Sequence, residues 1–255
     1  MTTLGFIGVG DLADYTIRGV RKGGYTKRIV LSPRNHERSK SLARLCGCEV
    51  QTSNQGVVDA SDCIILSTRP EQCRGALAPL RLKPDQLLIS VVAGVSIESL
   101  HQITGKNIEI VRAMPVNCAE AVASPTLIYP DNEFSHRLFD YCGHSVVAPD
   151  ESAFEQGSIL ACVYSWFFAL FEELIRSTSG DTLKQELATE LVLGMAKGAA
   201  SLALQDKTRT PGEIAKFIAT EGTYSKLGLD LLLEKEAFEP WHEACRLLAE
   251  RLKQV

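Results

Sequence analysis

The stretch Leu4-Gly5-Phe6-Ile7-Gly8-Val9-Gly10-Asp11-Leu12-Ala13 decides how the rest of the chain is read. An apolar run with β propensity ends in Gly8-Val9-Gly10, and a helical pattern opens directly after it. This is the G-x-G-x-x-A order of a dinucleotide-binding turn. Gly8 permits the tight turn, Gly10 lets the backbone approach a pyrophosphate, and Ala13 allows close helix–strand packing. The helix N-terminus presents free N–H groups and a partial positive charge to the phosphates. Gly8, Gly10, Asp11, Leu12 and Ala13 are therefore candidate cofactor-binding residues. Asp11 is the discordant one, because its carboxylate stands beside the expected phosphates. It also reads as a first-turn acid that satisfies the helix dipole.

Outward from this turn, β-rich runs alternate with helical patterns, which predicts a mainly parallel sheet. The expected strands are 4–8, 28–32, 63–67, 87–92 and 108–112, with a weaker pair at 126–129 and 145–147. The expected helices between them are 12–22, 37–46, 55–60, 74–80 and 96–103. After about Pro149 no strand pattern remains. Helical patterns cover 152–176, 182–204, 210–218 and 237–253, with Gly180-Asp181 as a break and Pro211 at a first helical position. The fold class expected is α/β: a Rossmann-type dinucleotide-binding domain over residues 1–150 and an all-helical domain over 151–255.

With 255 residues and a hydrophobic content of 45%, the chain can bury a sizeable core. A net charge of −4 gives no general pull toward nucleic acid or an anionic membrane. The eight cysteines include no C-x-x-C pair, and the five histidines supply no clustered ligands, so no metal site is expected. Nothing near Met1 reads as a leader, and a cytoplasmic location is the expectation. The apolar run from Ile159 to Phe171 is shorter than the roughly 20 residues a bilayer demands. A helix apolar on every side belongs in a deep core or a subunit interface.

The second strand speaks to the choice of nicotinamide cofactor. NAD-binding turns usually end it with an acidic residue for the ribose 2′-hydroxyl. Here the run is Leu31-Ser32-Pro33-Arg34-Asn35-His36, with Arg38 and Lys40 beyond. A hydroxyl and a guanidinium suit a 2′-phosphate, which Arg binds in bidentate fashion. The competing reading is a solvated basic helix start. NADP(H) is the expected cofactor, with Ser32, Arg34 and Asn35 holding it.

Five segments in register resemble the pyrroline-5-carboxylate reductase family, which reduces a cyclic imine to proline with NAD(P)H. They are Gly5-Phe6-Ile7-Gly8-Val9-Gly10, Ser32-Pro33-Arg34-Asn35, Asp62-Cys63-Ile64-Ile65-Leu66-Ser67-Thr68-Arg69-Pro70, Ile89-Ser90-Val91-Val92-Ala93-Gly94-Val95-Ser96-Ile97 and Val111-Arg112-Ala113-Met114-Pro115. The resemblance implies that Ser67, Thr68, Arg69, Pro70, Ala93, Gly94, Met114 and Pro115 line the cofactor pocket. It also implies a helical second domain that interlocks with its partner's in a homodimer, completing the active site. The departures fall on the substrate side. The family's Met-Pro-Asn-Thr-Pro is Met114-Pro115-Val116-Asn117-Cys118 here. Its Ser-Gly-Ser-Gly-Pro-Ala-Tyr falls around Leu160–Trp166, and its Ser-Pro-Gly-Gly-Thr-Thr becomes Ala219-Thr220-Glu221-Gly222-Thr223-Tyr224. By this resemblance Val116, Asn117, Tyr164, Glu221 and Gly222 face the substrate, while Thr223 and Tyr224 donate a catalytic hydroxyl hydrogen bond to the imine nitrogen. Tyr224 reads equally as a helix-start residue, and Arg69 either as an anion ligand or as a strand-end cap.

The function expected is an NADPH-dependent reductase of a C=N bond in a small cyclic imine. Two alternatives stand beside it. A carbonyl reductase of the β-hydroxyacid dehydrogenase class needs a catalytic Lys on the helix opening the second domain, and 152–176 contains none. A non-catalytic NADPH-binding protein would account for the altered substrate motifs. Resemblance to the deazaflavin-dependent reductases, which share the N-terminal fold, is weaker, since Ser32–Arg34 suits a ribose phosphate. No G-x-S-x-G elbow or His-Glu-x-x-His is present to support a hydrolase or a metal enzyme.

Overall fold

The computed structural model describes residues 2–105 and 108–252. β1 (Leu4–Ile7) runs through the glycine turn into α1 (Asp11–Lys22). The alternation continues through β2 (Ile29–Leu31), α2 (His36–Cys46), β3 (Glu49–Val50), α3 (Asn54–Asp59), β4 (Cys63–Leu66), α4 (Pro70–Leu77), β5 (Leu87–Ser90), α5 (Ile97–Thr104) and β6 (Glu109–Met114). A 3-10 turn at Asn117–Ala121 leads to β7 (Ser124–Tyr129), α6 (Glu133–Asp140) and β8 (Gly143–Val147). The strands form one sheet in the order β3-β2-β1-β4-β5-β6-β7-β8. Every neighbouring pair is parallel except β6 and β7, which run antiparallel. The first six strands follow the order of a doubly wound dinucleotide fold.

The central strands explain themselves. All four residues of β1 and of β4 are buried, as expected of parallel strands covered on both faces. One side packs Phe6, Ile17, Leu42, Val111 and Phe139; the other packs Ile7, Val57, Ile64, Leu88 and Ile110. Short elements escaped the sequence pattern. β3 is only two residues long, and α6 (EFSHRLFD) is a polar helix set by its Asn132 cap, which accepts from Ser135 N–H at 2.8 Å. α4 begins at Pro70, four residues before the expected start, because Pro at the first helical position needs no N–H acceptor.

After β8 the chain is helical: α7 (Glu151–Thr178), α8 (Gln185–Gln205), α9 (Pro211–Ile218), α10 (Tyr224–Glu234) and α11 (Glu239–Leu252). The expected helix end, Lys253, lies outside the described residues. α9 starts on the capping box of Thr210 and Glu213. α10 was not among the expected helices, although Tyr224, read alternatively as a helix start, opens it. No residue in it is buried, and Leu227, Leu231, Leu232 and Leu233 stand exposed, so much of its apolar surface is left uncovered by the described residues.

The chain divides into two compact units, one reaching Ala161 and rejoined by Arg251 onward, the other Cys162–Glu250. The first unit therefore takes in the opening of α7, beyond the boundary near 150 that the sequence suggested. The reason is chemical. Arg112 of β6, 1% exposed, pairs with Glu151 and Glu155 and lies over the ring of Phe154, 4.6 Å from its centroid. The second unit carries an aromatic cluster in which Trp166 meets Trp241 edge-on at 5.9 Å. α7 and α8 are long and apolar enough, by length and composition, to cross a membrane, and little of either apolar window is buried within the chain.

Close approach fixes how α1 lies on the 3-10 turn. A Cβ at Gly19 would sit 2.2 Å from the Ala119 carbonyl oxygen and 2.9 Å from Cys142 Cβ. Gly19→Ala is expected to destabilise the protein by about 1–3 kcal/mol. Thermal and denaturant unfolding against wild type checks this, and an unchanged midpoint would refute it.

Candidate functional site

The glycine turn is built by three neighbouring strand ends. Gly8 has φ +88°, and a Cβ there would lie 2.5 Å from the Ser67 carbonyl oxygen, so the turn after β1 presses against the end of β4. From the other side, the buried Ser32 hydroxyl accepts the Gly8 N–H at 3.1 Å. Asn35 completes the tie: its Nδ2 donates to the Val9 carbonyl at 3.1 Å, while its Oδ1 caps α2. Ser39 Oγ donates to the Ser32 carbonyl at 2.9 Å and holds that loop to α2. Gly10 is the N-cap of α1. No side chain caps the helix there, and a Cβ added to Gly10 would meet nothing within 4 Å. The first-turn N–H groups of α1 thus open onto free space.

That space is a cleft of about 480 Å³ lined by the turn itself, by Ser32, Arg34, Asn35, His36 and Glu37 after β2, and by Ser67, Thr68 and Arg69 after β4. Asn54, Gln72 and Ala76 close it. Among the described residues, neither the Arg34 nor the Arg69 side chain has a hydrogen bond or ion pair, so two guanidinium groups are left for an anion. Thr68 Oγ1 is buried in the wall with no partner. The arrangement fits a phosphate-bearing dinucleotide: uncapped helix N–H groups, an unmatched hydroxyl and two unmatched cations.

Asp11, the discordant residue of the motif, does not line the cleft. It is exposed and pairs with Arg38 Nη2 at 2.6 Å, and Arg38 Nε also faces Asp14 at 3.6 Å. Its negative charge is thereby matched by α2. The same pair occupies one of the basic groups that the sequence offered for a ribose phosphate. Ala13 is 1% exposed beneath the turn, in the packing position, and half-buried Leu12 adjoins the core. Pro70 opens α4, with Arg69 as its N-cap.

The remaining site residues are placed separately. Ala93 and Gly94, the latter at φ +71°, follow β5; Met114 ends β6, and Pro115, Val116 and Asn117 come next. These six stand outside the cleft lining. In the second unit, Tyr164 meets Phe168 edge-on at 5.2 Å. Gly222 has φ +82°, and Glu221 faces Lys226 Nζ at 3.6 Å. Thr223 caps α10, accepting from Lys226 N–H and donating to the Thr220 carbonyl at 2.7 Å, and Tyr224 follows it, 95% exposed. The sequence reading missed His36, Glu37, Asn54 and Gln72. Each sits in the first turn of a helix following a strand, which is where a parallel sheet presents side chains to a ligand.

A family model described as NADP oxidoreductase, coenzyme F420-dependent, matches residues 3–94. The pyrroline-5-carboxylate reductase of Haemophilus influenzae is 30% identical over 213 residues, covering 76% of this chain and 77% of that protein. The chain belongs to the pyrroline-5-carboxylate reductase family. A second member, from Pseudomonas aeruginosa, is 27% identical over 98% of both chains. The fold extends the likeness. The 1-pyrroline-5-carboxylate reductase of Streptococcus pyogenes superposes with a TM-score of 0.88 at 23% identity, over 100% of this chain and 99% of that one. The Plasmodium falciparum pyrroline carboxylate reductase, solved with NADP bound, gives 0.87 at 19% identity over 99% and 97%. The F420-type match stops at residue 94, within the dinucleotide-binding unit, whereas the likeness to the Pseudomonas protein spans 98% of the chain.

Asn35→Ala removes both the tie to Val9 and the cap of α2. It is expected to cost about 1–2 kcal/mol, read from the denaturant midpoint. An unchanged midpoint would show the tie to be dispensable for the fold.

Proposed function

We propose that the chain is an NADPH-dependent reductase that converts the C=N bond of a cyclic imine of the 1-pyrroline-5-carboxylate type to the amine. The observation that carries the cofactor side is the cleft with two unpaired guanidinium groups at the uncapped N-terminus of α1. Family membership carries the reaction class. NADPH held in this cleft would supply a hydride to the imine carbon, with the imine nitrogen taking its proton from solvent.

The protein's own part is placement and charge. The α1 N–H groups and the open Gly10 position receive the pyrophosphate, and Arg34 meets the 2′-phosphate. Asn35 and Ser32 hold the loop in shape. Ala93, Gly94, Met114 and Pro115, at the strand ends beyond the cleft, bound the nicotinamide side. A protonated imine is already electrophilic, so a hydroxyl donor at its nitrogen suffices; the exposed Tyr224 is assigned that role, whereas the Thr223 hydroxyl, whose one proton goes to the Thr220 carbonyl, holds the turn before it. Val116, Asn117, Tyr164, Glu221 and Gly222 shape the substrate side. The absence of a Lys along the whole of α7 speaks against the carbonyl-reducing alternative.

The second unit is proposed to pair with that of a second copy. Leu187, Leu191, Leu193 and Met195 of α8 and Leu231–Leu233 of α10 are exposed, more apolar surface than a monomer ordinarily shows to water. Protein rather than lipid suits this surface, because Glu190 and Lys197 lie within α8 and a charge near a bilayer centre costs about 2.5–3.5 kcal/mol. A homodimer in the cytoplasm is the resulting picture.

Three measurements test the reading. Purified protein should oxidise NADPH with 1-pyrroline-5-carboxylate, and Tyr224→Phe should lower kcat/KM by about ten- to a hundredfold, or roughly 1.4–2.7 kcal/mol. Binding of NADPH without turnover of either this imine or 1-pyrroline would favour a binding protein instead. Arg34→Ala should raise the KM for NADPH by about tenfold or more and leave that for NADH nearly unchanged, as loss of a charge-assisted contact predicts; equal losses would remove Arg34 from the 2′-phosphate. Sedimentation should show a dimer that Leu191→Asp or Leu231→Asp weakens, and a monomeric wild type would end the pairing proposal.

A further inference from the structure

One carboxylate joins the two loops assigned to the nicotinamide side. Glu151, the first residue of α7, accepts the backbone N–H of Ile97 at 2.8 Å through Oε1. The same oxygen accepts from Arg112 Nη1 at 3.0 Å. Ile97 opens α5 directly after the loop carrying Ala93 and Gly94, and its N–H is one that the helix itself leaves unpaired. Arg112 lies in β6 opposite Ser90 of β5, two residues before Met114. Glu155, one turn further along α7, takes the other side of Arg112 Nη1.

The cluster is poorly arranged for stability alone. Arg112 is buried, yet its Nε and Nη2 have no partner, and neither does Glu155 Oε2. A buried ion pair with unfilled hydrogen bonds is commonly no better than packed apolar side chains. What this one does achieve is to hold the loop after β5 and the end of β6 to a single point.

We propose that Glu151 is a positioning residue for hydride transfer: with Arg112 as its partner, it sets the separation of the Ala93–Gly94 loop from Met114–Pro115. The inference rests on the assignment of those loops to the nicotinamide. Glu151 touches neither the glycine turn nor the Arg34 and Arg69 cations, so it acts on the reacting end of the cofactor and not on the phosphate end.

The test compares Glu151→Ala and Glu151→Gln with wild type, using NADPH and 1-pyrroline-5-carboxylate. The alanine variant should lose about tenfold or more in kcat, with the KM and Kd for NADPH within about twofold. The primary isotope effect on kcat with 4-deuterated NADPH should rise as hydride transfer becomes limiting. Glutamine keeps an acceptor for the Ile97 N–H and should recover part of the rate. Unchanged kcat and isotope effect overturn the proposal, as does a parallel loss of NADPH affinity and thermal stability. If wild type binds NADPH but reduces no imine, the functional reading fails, and amide exchange decides the clamp by itself. NADPH should then protect residues 93–97 and 112–116 in wild type and not in Glu151→Ala; equal protection in both would refute it. Should the alanine variant not fold, the glutamine variant answers the same questions with a smaller expected loss.

Discussion

At Gly8 the backbone of the first turn lies so close to the Ser67 carbonyl that a Cβ would stand 2.5 Å from it. The chain can make that approach only in a left-handed conformation with no side chain. From this contact the cleft follows. The end of β4 is pressed against the turn after β1, Ser32 and Asn35 secure the turn from the β2 side, and α1 is aimed with its uncapped end toward the space between. Arg34 and Arg69 reach that space from opposite neighbours of β1.

Charge is handled differently inside and outside the cleft. The two guanidinium groups at the cleft are unmatched, whereas Arg38 just outside is taken up by Asp11 and Asp14. The acidic residue that looked hostile to a phosphate is thus half of an ion pair between α1 and α2. In the sheet beyond, Arg112 is buried against two carboxylates, where its charge fastens α7 to β6 and Glu151 in turn holds α5. These four arginines share a chemistry and have three different uses, set by which acids the fold brings near them.

The strands of the doubly wound sheet were legible because burial on both faces forces unbroken apolar runs such as Cys63-Ile64-Ile65-Leu66. Gly8 and Ala13 were legible because their sizes answer a local geometric demand. α10 was not, since Leu227 and Leu231–Leu233 face away from their own chain and Gly228 interrupts the pattern. β3 was too short to register and α6 too polar, and their places depend on pairing with β2 and on the Asn132 cap. Boundaries shifted wherever a cap decided them, as at Pro70.

For the site, the sequence by itself determined the residue types at the turn, the basic stretch after β2 and the family's motif order, because these are short-range requirements of backbone and phosphate chemistry. Only the tertiary structure decided that Asp11 would be neutralised by Arg38, that His36, Glu37, Asn54 and Gln72 would share the cleft, and that one oxygen of Glu151 would hold Ile97 and Arg112 together. The paired groups are separated by 27 to 54 residues, and the cleft residues lie on successive crossovers of the sheet. Nothing in local spacing specifies which of many charged or polar side chains will meet. That choice is made by how parallel strands and their helices stack.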